Sequence, residues 1–165
     1  QYGEQTIDGD EYYFDTETGA MVTGEVERDG RYYYYDNETG AMLGLGEQIV
    51  KYAEKFLGTP YTWGGTSPDT GFDCSGFVSY CLTNSGVLNT GHLDCNGLLA
   101  RMTVIPESEM QPGDYIMPGD LVCYSGHVAI YVGNGQVIHS PQEGEVVKIS
   151  NMHMMSIITI RRFID

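Results

Sequence analysis

Cations are scarce in this chain. Its 165 residues hold 8 Lys and Arg against 23 Asp and Glu, a net charge of −15. That balance argues against a nucleic-acid partner, because phosphate contacts need Lys and Arg. The acidity is densest at the start, with 11 acids and 2 bases up to Gly46, and solubility accounts for most of it. No apolar run reaches the length of a membrane span, so no membrane partner is expected. Methionine does not open the chain and no signal peptide is visible, so a fragment or mature form of a longer protein is expected. Tryptophan occurs once, at Trp63. The four cysteines, at 74, 81, 95 and 123, do not look like a disulfide framework. Cys81 and Cys123 fall in apolar patterns and read as core, whereas the state of Cys95, in a polar loop, stays open.

What the chain has instead is a repeat. Residues 8–21 match residues 29–42 at most positions, at a constant offset of 21. In each unit Asp-Gly opens a turn, an aromatic run follows as a strand, and Thr-Gly closes a second turn. Each unit is then a β-hairpin that leans its aromatic face on a neighbour. Gly44-Leu45-Gly46 reads as the junction after this all-β hairpin-repeat module, which occupies residues 1–44. A second domain is expected over 47–165.

That second domain starts with a helical stripe, Ile49, Val50, Ala53, Phe56 and Leu57, stopped by Gly58. Pro60 begins an extended Tyr61-Thr62-Trp63. Gly64-Gly65 lets backbone pass close to something. A run of turn residues, Thr66 to Gly71, ends at Asp73. Then Cys74, Phe77, Val78, Cys81 and Leu82 mark one face of a helix, with Asp73 at the N-cap position. Cys74 thus sits in the first turn, where the helix dipole and unpaired N–H groups favour a thiolate. A thiolate is the attacking species in nucleophilic catalysis by cysteine.

Residues 84–113 are punctuated by Gly, Asn and Pro. His92, Asp94 and Cys95 carry ligand atoms there, but no second pair at metal spacing lies nearby, so no metal site is assigned. Pro112-Gly113-Asp114 and Pro118-Gly119-Asp120 duplicate each other, and the second leads into the strand Leu121–Tyr124. Further strands are expected at Val128–Val132, Val137–His139, Val146–Ile149 and Ile157–Phe163. The order gives an α+β domain, a helix carrying Cys74 on an antiparallel sheet.

A cysteine nucleophile needs a base and a group that holds the base in place. Of four histidines, His127 opens a strand and His139 lies on the strand returning from Gly133-Asn134-Gly135. Register decides whether they meet. If Val132 pairs with Gln136, then Ala129 pairs with His139 and the two histidines share a face. A two-residue Asn134-Gly135 loop puts His139 on the opposite face. The chemistry therefore requires the odd register or a bulge.

Three sets of residues carry a family likeness: Tyr61-Thr62-Trp63-Gly64-Gly65, then Gly71-Phe72-Asp73-Cys74-Ser75-Gly76, then His127 to Gly135 with Val137-Ile138-His139. From about Glu47 to Asp165 the chain resembles the NlpC-type cell-wall cysteine peptidases. The resemblance implies a papain-like fold and a secreted or cell-wall-associated hydrolase of peptidoglycan stem peptides. It implies Cys74 as nucleophile, His127 as base, His139 as orienter and Tyr61 as an active-site phenol. Asp73 and Ser75 match residues that hold the free amine of a leading L-alanine in members that cut after γ-D-glutamate. The expected activity is a γ-D-glutamyl-L-diamino acid endopeptidase working through a thioester, without a cofactor. An N-acetylmuramoyl-L-alanine amidase or an acyltransferase on the same triad stays open, as does a non-catalytic wall-binding protein. The N-terminal units resemble the choline-binding repeats that hold cell-wall polymers. Where those carry tryptophans, this chain has Glu25 and Glu11 or Tyr32, so the usual aromatic cage for a quaternary ammonium is altered. A spacer role stands beside wall binding.

Overall fold

A computed structural model describes residues 3–28, 31–85, 103–105 and 116–162. The His92, Asp94 and Cys95 group, Pro112-Gly113-Asp114 and Phe163 lie outside the described residues.

The two repeats form two antiparallel hairpins. The first joins β1 (Gly3–Ile7) to β2 (Asp10–Phe14), and the second joins β3 (Gly24–Arg28) to β4 (Arg31–Tyr35). The second turn of each unit is built identically. Asp15 Oδ1 accepts from the backbone N–H of Glu17 and Thr18, each at 2.8 Å, and Asp36 Oδ1 does the same for Glu38 and Thr39, each at 2.8 Å. These bonds favour the ionised carboxylates and hold both below their ordinary pKa. The units also lean on one another: Met42 N–H donates to Glu11 O at 2.7 Å, and Met21 lies against Gly40.

The second hairpin docks on α1 (Leu45–Glu54). Tyr34 is 6% exposed and belongs to the same apolar cluster as Ile49, Val50 and Ala53. The Tyr32 and Tyr52 rings are 5.3 Å apart. Lys55 Nζ is 2.7 Å from Glu25 Oε1 and 4.1 Å from the centre of the Tyr32 ring. Gly44-Leu45-Gly46, which reads as a junction, is thus the beginning of α1, two residues earlier than expected. Gly46 is there for contact, because a Cβ would come within 2.1 Å of Pro118 O. The stripe also ends earlier, and Leu57 is exposed in the turn that follows.

After α1 a short hairpin, β5 (Thr66–Ser67) with β6 (Gly71–Phe72), leads into α2 (Cys74–Asn84). The remaining strands are β7 (Thr103–Ile105), β8 (Leu121–Tyr124), β9 (His127–Gly133), β10 (Gln136–His139), β11 (Lys148–Asn151) and β12 (Ile157–Arg162). They form one antiparallel sheet in the order β11-β10-β9-β8-β12-β7. The strand expected over Val146–Ile149 begins two residues later, because Val146 bridges to Pro60 instead.

Both faces of the sheet are covered in its middle. Val128, Ile130 and Ile138 face α1 and α2, where Phe77, Val78, Cys81 and Leu82 are fully buried. Ala129, Tyr131 and Val137 face the other way, against Met152 and Ile160. Each large apolar side chain buried this way stabilises the fold by roughly 1.5–3 kcal/mol. By parity His127 and His139 belong to the second face. α2 packs on the first, so its Cys74 end meets the histidines only at the end of the sheet.

Candidate active site

The nucleophile position is built by a local cap. Asp73 is extended, with φ −84° and ψ −177°, and its Oδ1 accepts from Gly76 N–H at 2.6 Å. Ser75, itself buried, reaches the same oxygen at 3.4 Å. Two glycines let the preceding loop close under this turn. A Cβ on Gly76 would come within 2.1 Å of Gly65 O, and one on Gly65 within 2.2 Å of Gly71 O. Asp73 N–H donates to Gly65 O at 3.1 Å, which ties the two segments together. Gly65 is thus the glycine that the close passage required.

Cys74 is half-buried and outside any disulfide, as are the buried Cys81 and Cys123. Burial drives the Cys81 thiol far up and Cys123 up to about 12, so both stay protonated. Cys74 Sγ is 4.0 Å from the carbonyl oxygen of Gly126, the residue before His127. The cysteine therefore abuts the very start of β9.

The β9–β10 hairpin brings the two histidines together, by way of a bulge. Its tip is a two-residue Asn134-Gly135 turn with φ of 53° and 74°, and Gly133 pairs with Gln136. The register then shifts: Val137 pairs with Tyr131 and Ile138 with Ile130. Val132 is the extra residue. Continuing that register sets His139 opposite Ala129, on the face of His127. His127 Nε2 lies 2.8 Å from His139 Nδ1, with the rings at 72°. His139 Nε2 lies 2.8 Å from Ser150 Oγ on β11. Tyr124 stacks on His127 with ring centres 5.8 Å apart.

His139 is 2% exposed. Burial first, then the neighbouring His127 and the Lys148 ammonium, lower it from 6.5 to about 4. It is therefore neutral near pH 7. Tyr61 lies beside this group, bridged to Phe72 and donating its N–H to Glu145 O at 3.0 Å. Its phenol is pushed up, first by burial and then by the charges of Cys74 and Asp73. A phenol held protonated is a hydrogen-bond donor.

A cleft of about 420 Å³ opens on the histidine side, lined by Gly126, His127, His139 and Ser150 and by Glu145 and Lys148 further out. Sequence reasoning did not find Ser150 or Gly126. Both enter through pairings between strands, and only the β10–β11 register, Val137 with Ser150 and His139 with Lys148, would have pointed to the hydroxyl. Trp63 is 81% exposed and stands on the surface. No three His, Cys, Asp or Glu side chains among the described residues converge as metal ligands.

A cysteine at a helix start beside a buried imidazole pair, on an antiparallel sheet, defines the layout of a thiol hydrolase. The chain belongs to the NlpC/P60 family, whose model matches residues 58–160, and the choline-binding repeat matches residues 2–44. It is 45% identical over 105 residues to a probable endopeptidase p60 of Listeria seeligeri, covering 64% of this chain and 19% of that protein. It is 39% identical over 103 residues to the bifunctional muramidase/DL-endopeptidase CwlT of Bacillus subtilis, covering 59% and 30%. Among solved structures, the NlpC/p60 domain of the peptidoglycan hydrolase SagA superposes with a TM-score of 0.61 at 36% identity, over 72% of this chain and 98% of that one. The chain spans about a fifth of the length of the p60 proteins that it matches.

Proposed function

We propose that this protein is a cell-wall endopeptidase that cuts peptidoglycan stem peptides at the γ-D-glutamyl-L-diamino acid bond, with Cys74, His127 and His139 as its triad. The observation that carries this is the 2.8 Å contact between His127 Nε2 and His139 Nδ1, next to a cysteine at a helix start. That contact dictates a proton arrangement. For His127 to act as base through Nδ1, its Nε2 must carry the hydrogen and donate it to His139 Nδ1. His139 must then be neutral, with its own hydrogen on Nε2, donated to Ser150 Oγ at 2.8 Å. Burial of His139 favours that neutral form.

In this reading His127 Nδ1 takes the Cys74 proton and the thiolate attacks the peptide carbonyl. The oxyanion accepts hydrogen bonds from Cys74 N–H and the Tyr61 hydroxyl. His127 protonates the leaving amine, the C–N bond breaks, and water hydrolyses the thioester with His127 as base. A neutral imidazole steadies the His127 cation less than a carboxylate would, so His139 chiefly fixes tautomer and orientation. No cofactor enters. Asp73 holds the free amine of the leading L-alanine. Its Oδ1 carries the helix cap, and a carboxylate has lone pairs for an ammonium as well.

Residues 1–44 and 47–165 act in this reading as a wall-binding unit and a hydrolytic unit of an extracellular or cell-wall-associated protein. The cavity of about 260 Å³ between the hairpins, lined by Tyr12, Tyr33, Tyr35 and Met42 and by the polar Glu4, Gln5, Thr6 and Glu11, supports a wall-polymer partner for the repeats.

The test is mass spectrometry of digests of L-Ala-γ-D-Glu-diamino acid peptides, with the terminal amine free or acetylated. The free peptide is expected to be cut after D-glutamate about 100-fold faster, the effect of leaving a charge unpaired. Asp73→Asn keeps an Oδ1 acceptor for the cap and is expected to shrink the difference. Equal rates on both peptides would remove the amine-recognition role and favour an amidase or an endopeptidase acting on intact stems.

A further inference from the structure

We infer that Ser140 is a positioning residue for the reaction. Its hydroxyl ties the segment that carries Cys74 to the strand that carries His139, and so fixes where the thiol stands relative to the imidazole pair. This rests on the thiol mechanism proposed above.

The nucleophile and its base come from different parts of the fold. Cys74 opens α2 behind the β5–β6 hairpin, and the histidines stand on β9 and β10. Strand alternation sends His139 away from α2 and the residue after it back toward α2. That residue is Ser140, at the end of the sheet where the start of α2 meets the histidines. Its Oγ–H donates to Phe72 O at 2.7 Å. One bond thus joins the neighbour of His139 to the residue two before Cys74.

The carbonyl does not need this bond to be satisfied, because Phe72 O already accepts from Thr62 N–H at 3.1 Å. What the hydroxyl adds is a tie. Nor does it meet substrate: His139 and Pro141 on either side line the cleft, while Ser140 is fully buried.

Phe72 is a firm place to hold. Its buried ring packs against Phe56, Phe77 and Tyr80, with centres 5.8, 5.5 and 5.3 Å away. Its N–H donates to Pro60 O at 3.2 Å. The next residue, Asp73, is bonded to Gly65 O through its N–H and caps α2 through Oδ1. A displacement of Phe72 is therefore carried through Asp73 to Cys74. Reaction rates are steep in such displacements, about 100-fold for 1 Å.

The experiment compares wild type, Ser140→Ala, Ser140→Thr and Ser85→Ala as full chains. Ser85 Oγ donates to Leu82 O at 3.2 Å and is buried at the far end of α2, so its loss removes the same kind of bond away from the site. Both alanine variants should lower the melting midpoint by about 2–4 °C. The first readout, below those midpoints, is hydrolysis of an L-Ala-γ-D-Glu-diamino acid peptide. Ser140→Ala is expected to lose about 10–100-fold in kcat with KM changed less than about twofold. Ser85→Ala and Ser140→Thr, which keeps the hydroxyl, are expected to stay near wild type. The second readout needs no substrate: alkylation of Cys74 by iodoacetamide at pH 6 and pH 9, located by mass spectrometry. A thiolate paired with imidazolium reacts at pH 6, whereas an unassisted thiol does so far more slowly. The ratio of the rate at pH 6 to that at pH 9 should fall about tenfold in Ser140→Ala alone, about what weakening that pairing by one pH unit gives. If Ser140→Ala matches Ser85→Ala in both readouts, or threonine restores neither, the positioning role is overturned. If even wild type leaves the peptide uncut while the alkylation ratio falls as expected, the bond assignment fails and the positioning role stands.

Discussion

Lowering the pH from 7 to 4 is expected to destabilise this protein through His139. In the folded chain the ring is held down to about 4, against an unfolded value of 6.5. Above pH 6.5 the ring is neutral in both states and adds no pH dependence. Between 6.5 and 4 the unfolded chain binds a proton that the folded chain refuses, so stability falls as pH falls. Below 4 the loss is complete. At face value the gap is worth about 3 kcal/mol. Nε2 reaches Ser150 at the wall of the open cleft, and screening there halves it to about 1.5 kcal/mol. For a chain of 165 residues that is a midpoint shift of about 3–6 °C. The assay is thermal unfolding by circular dichroism at pH 7, 6, 5 and 4, for wild type and His139→Gln. Glutamine cannot titrate, and groups common to both proteins cancel to first order. The midpoint of wild type minus that of the variant should shrink by about 3–6 °C from pH 7 to 4. A constant difference would refute the buried neutral imidazole, and with it the proton arrangement through His127 and Ser150.

Cys74→Ser should keep its unfolding midpoint and lose nearly all hydrolysis of stem peptides, and wild-type-like turnover would eliminate the thiol mechanism. His127→Ala should be slower than His139→Ala, with the double variant little worse than His127→Ala because such groups act as a unit. The reverse order in single-turnover rates would swap their roles. Tyr34→Ala should lower the melting midpoint by about 6–12 °C, since truncating a buried aromatic costs about 3 kcal/mol. Its half-buried counterpart one repeat earlier, Tyr13, should matter less. Deleting residues 1–44 should lower the midpoint too, by uncovering α1, yet leave cleavage of small peptides at low temperature. Loss of that cleavage in a folded truncation would make the repeats part of the hydrolytic unit.

Local signals in the sequence were reliable guides. Asp73 before an apolar stripe has one good use, as a helix cap, and that puts Cys74 at the helix start. The fixed 21-residue offset reports two equal hairpins because each closes its own turn through Asp15 or Asp36. The histidine pair was legible only as a condition. Residue counting left two registers, and the structure takes the tight Asn134-Gly135 turn and then corrects parity at Val132. What stayed hidden depends on long-range pairing. The insertion of β12 between β8 and β7 leaves no periodic trace, and neither does the meeting of Ser150 with His139. Gly46 looked like a hinge because glycine has no side chain, but the same absence serves a close backbone contact with Pro118.

The bulge at Val132 sets a counting rule on the hairpin tip. Exposed turns are where chains ordinarily gain and lose residues without penalty. Here a single insertion or deletion between Ile130 and Ile138 would still leave a paired antiparallel ribbon. It would nevertheless rotate His139 to the side of α2, away from His127, and carry Val137 with it. Changes of two residues preserve the alternation and changes of one do not. The tip of this hairpin is therefore constrained in the parity of its length as well as in the positive φ that Asn134 and Gly135 supply, like a frame that shifts rather than a surface that wears.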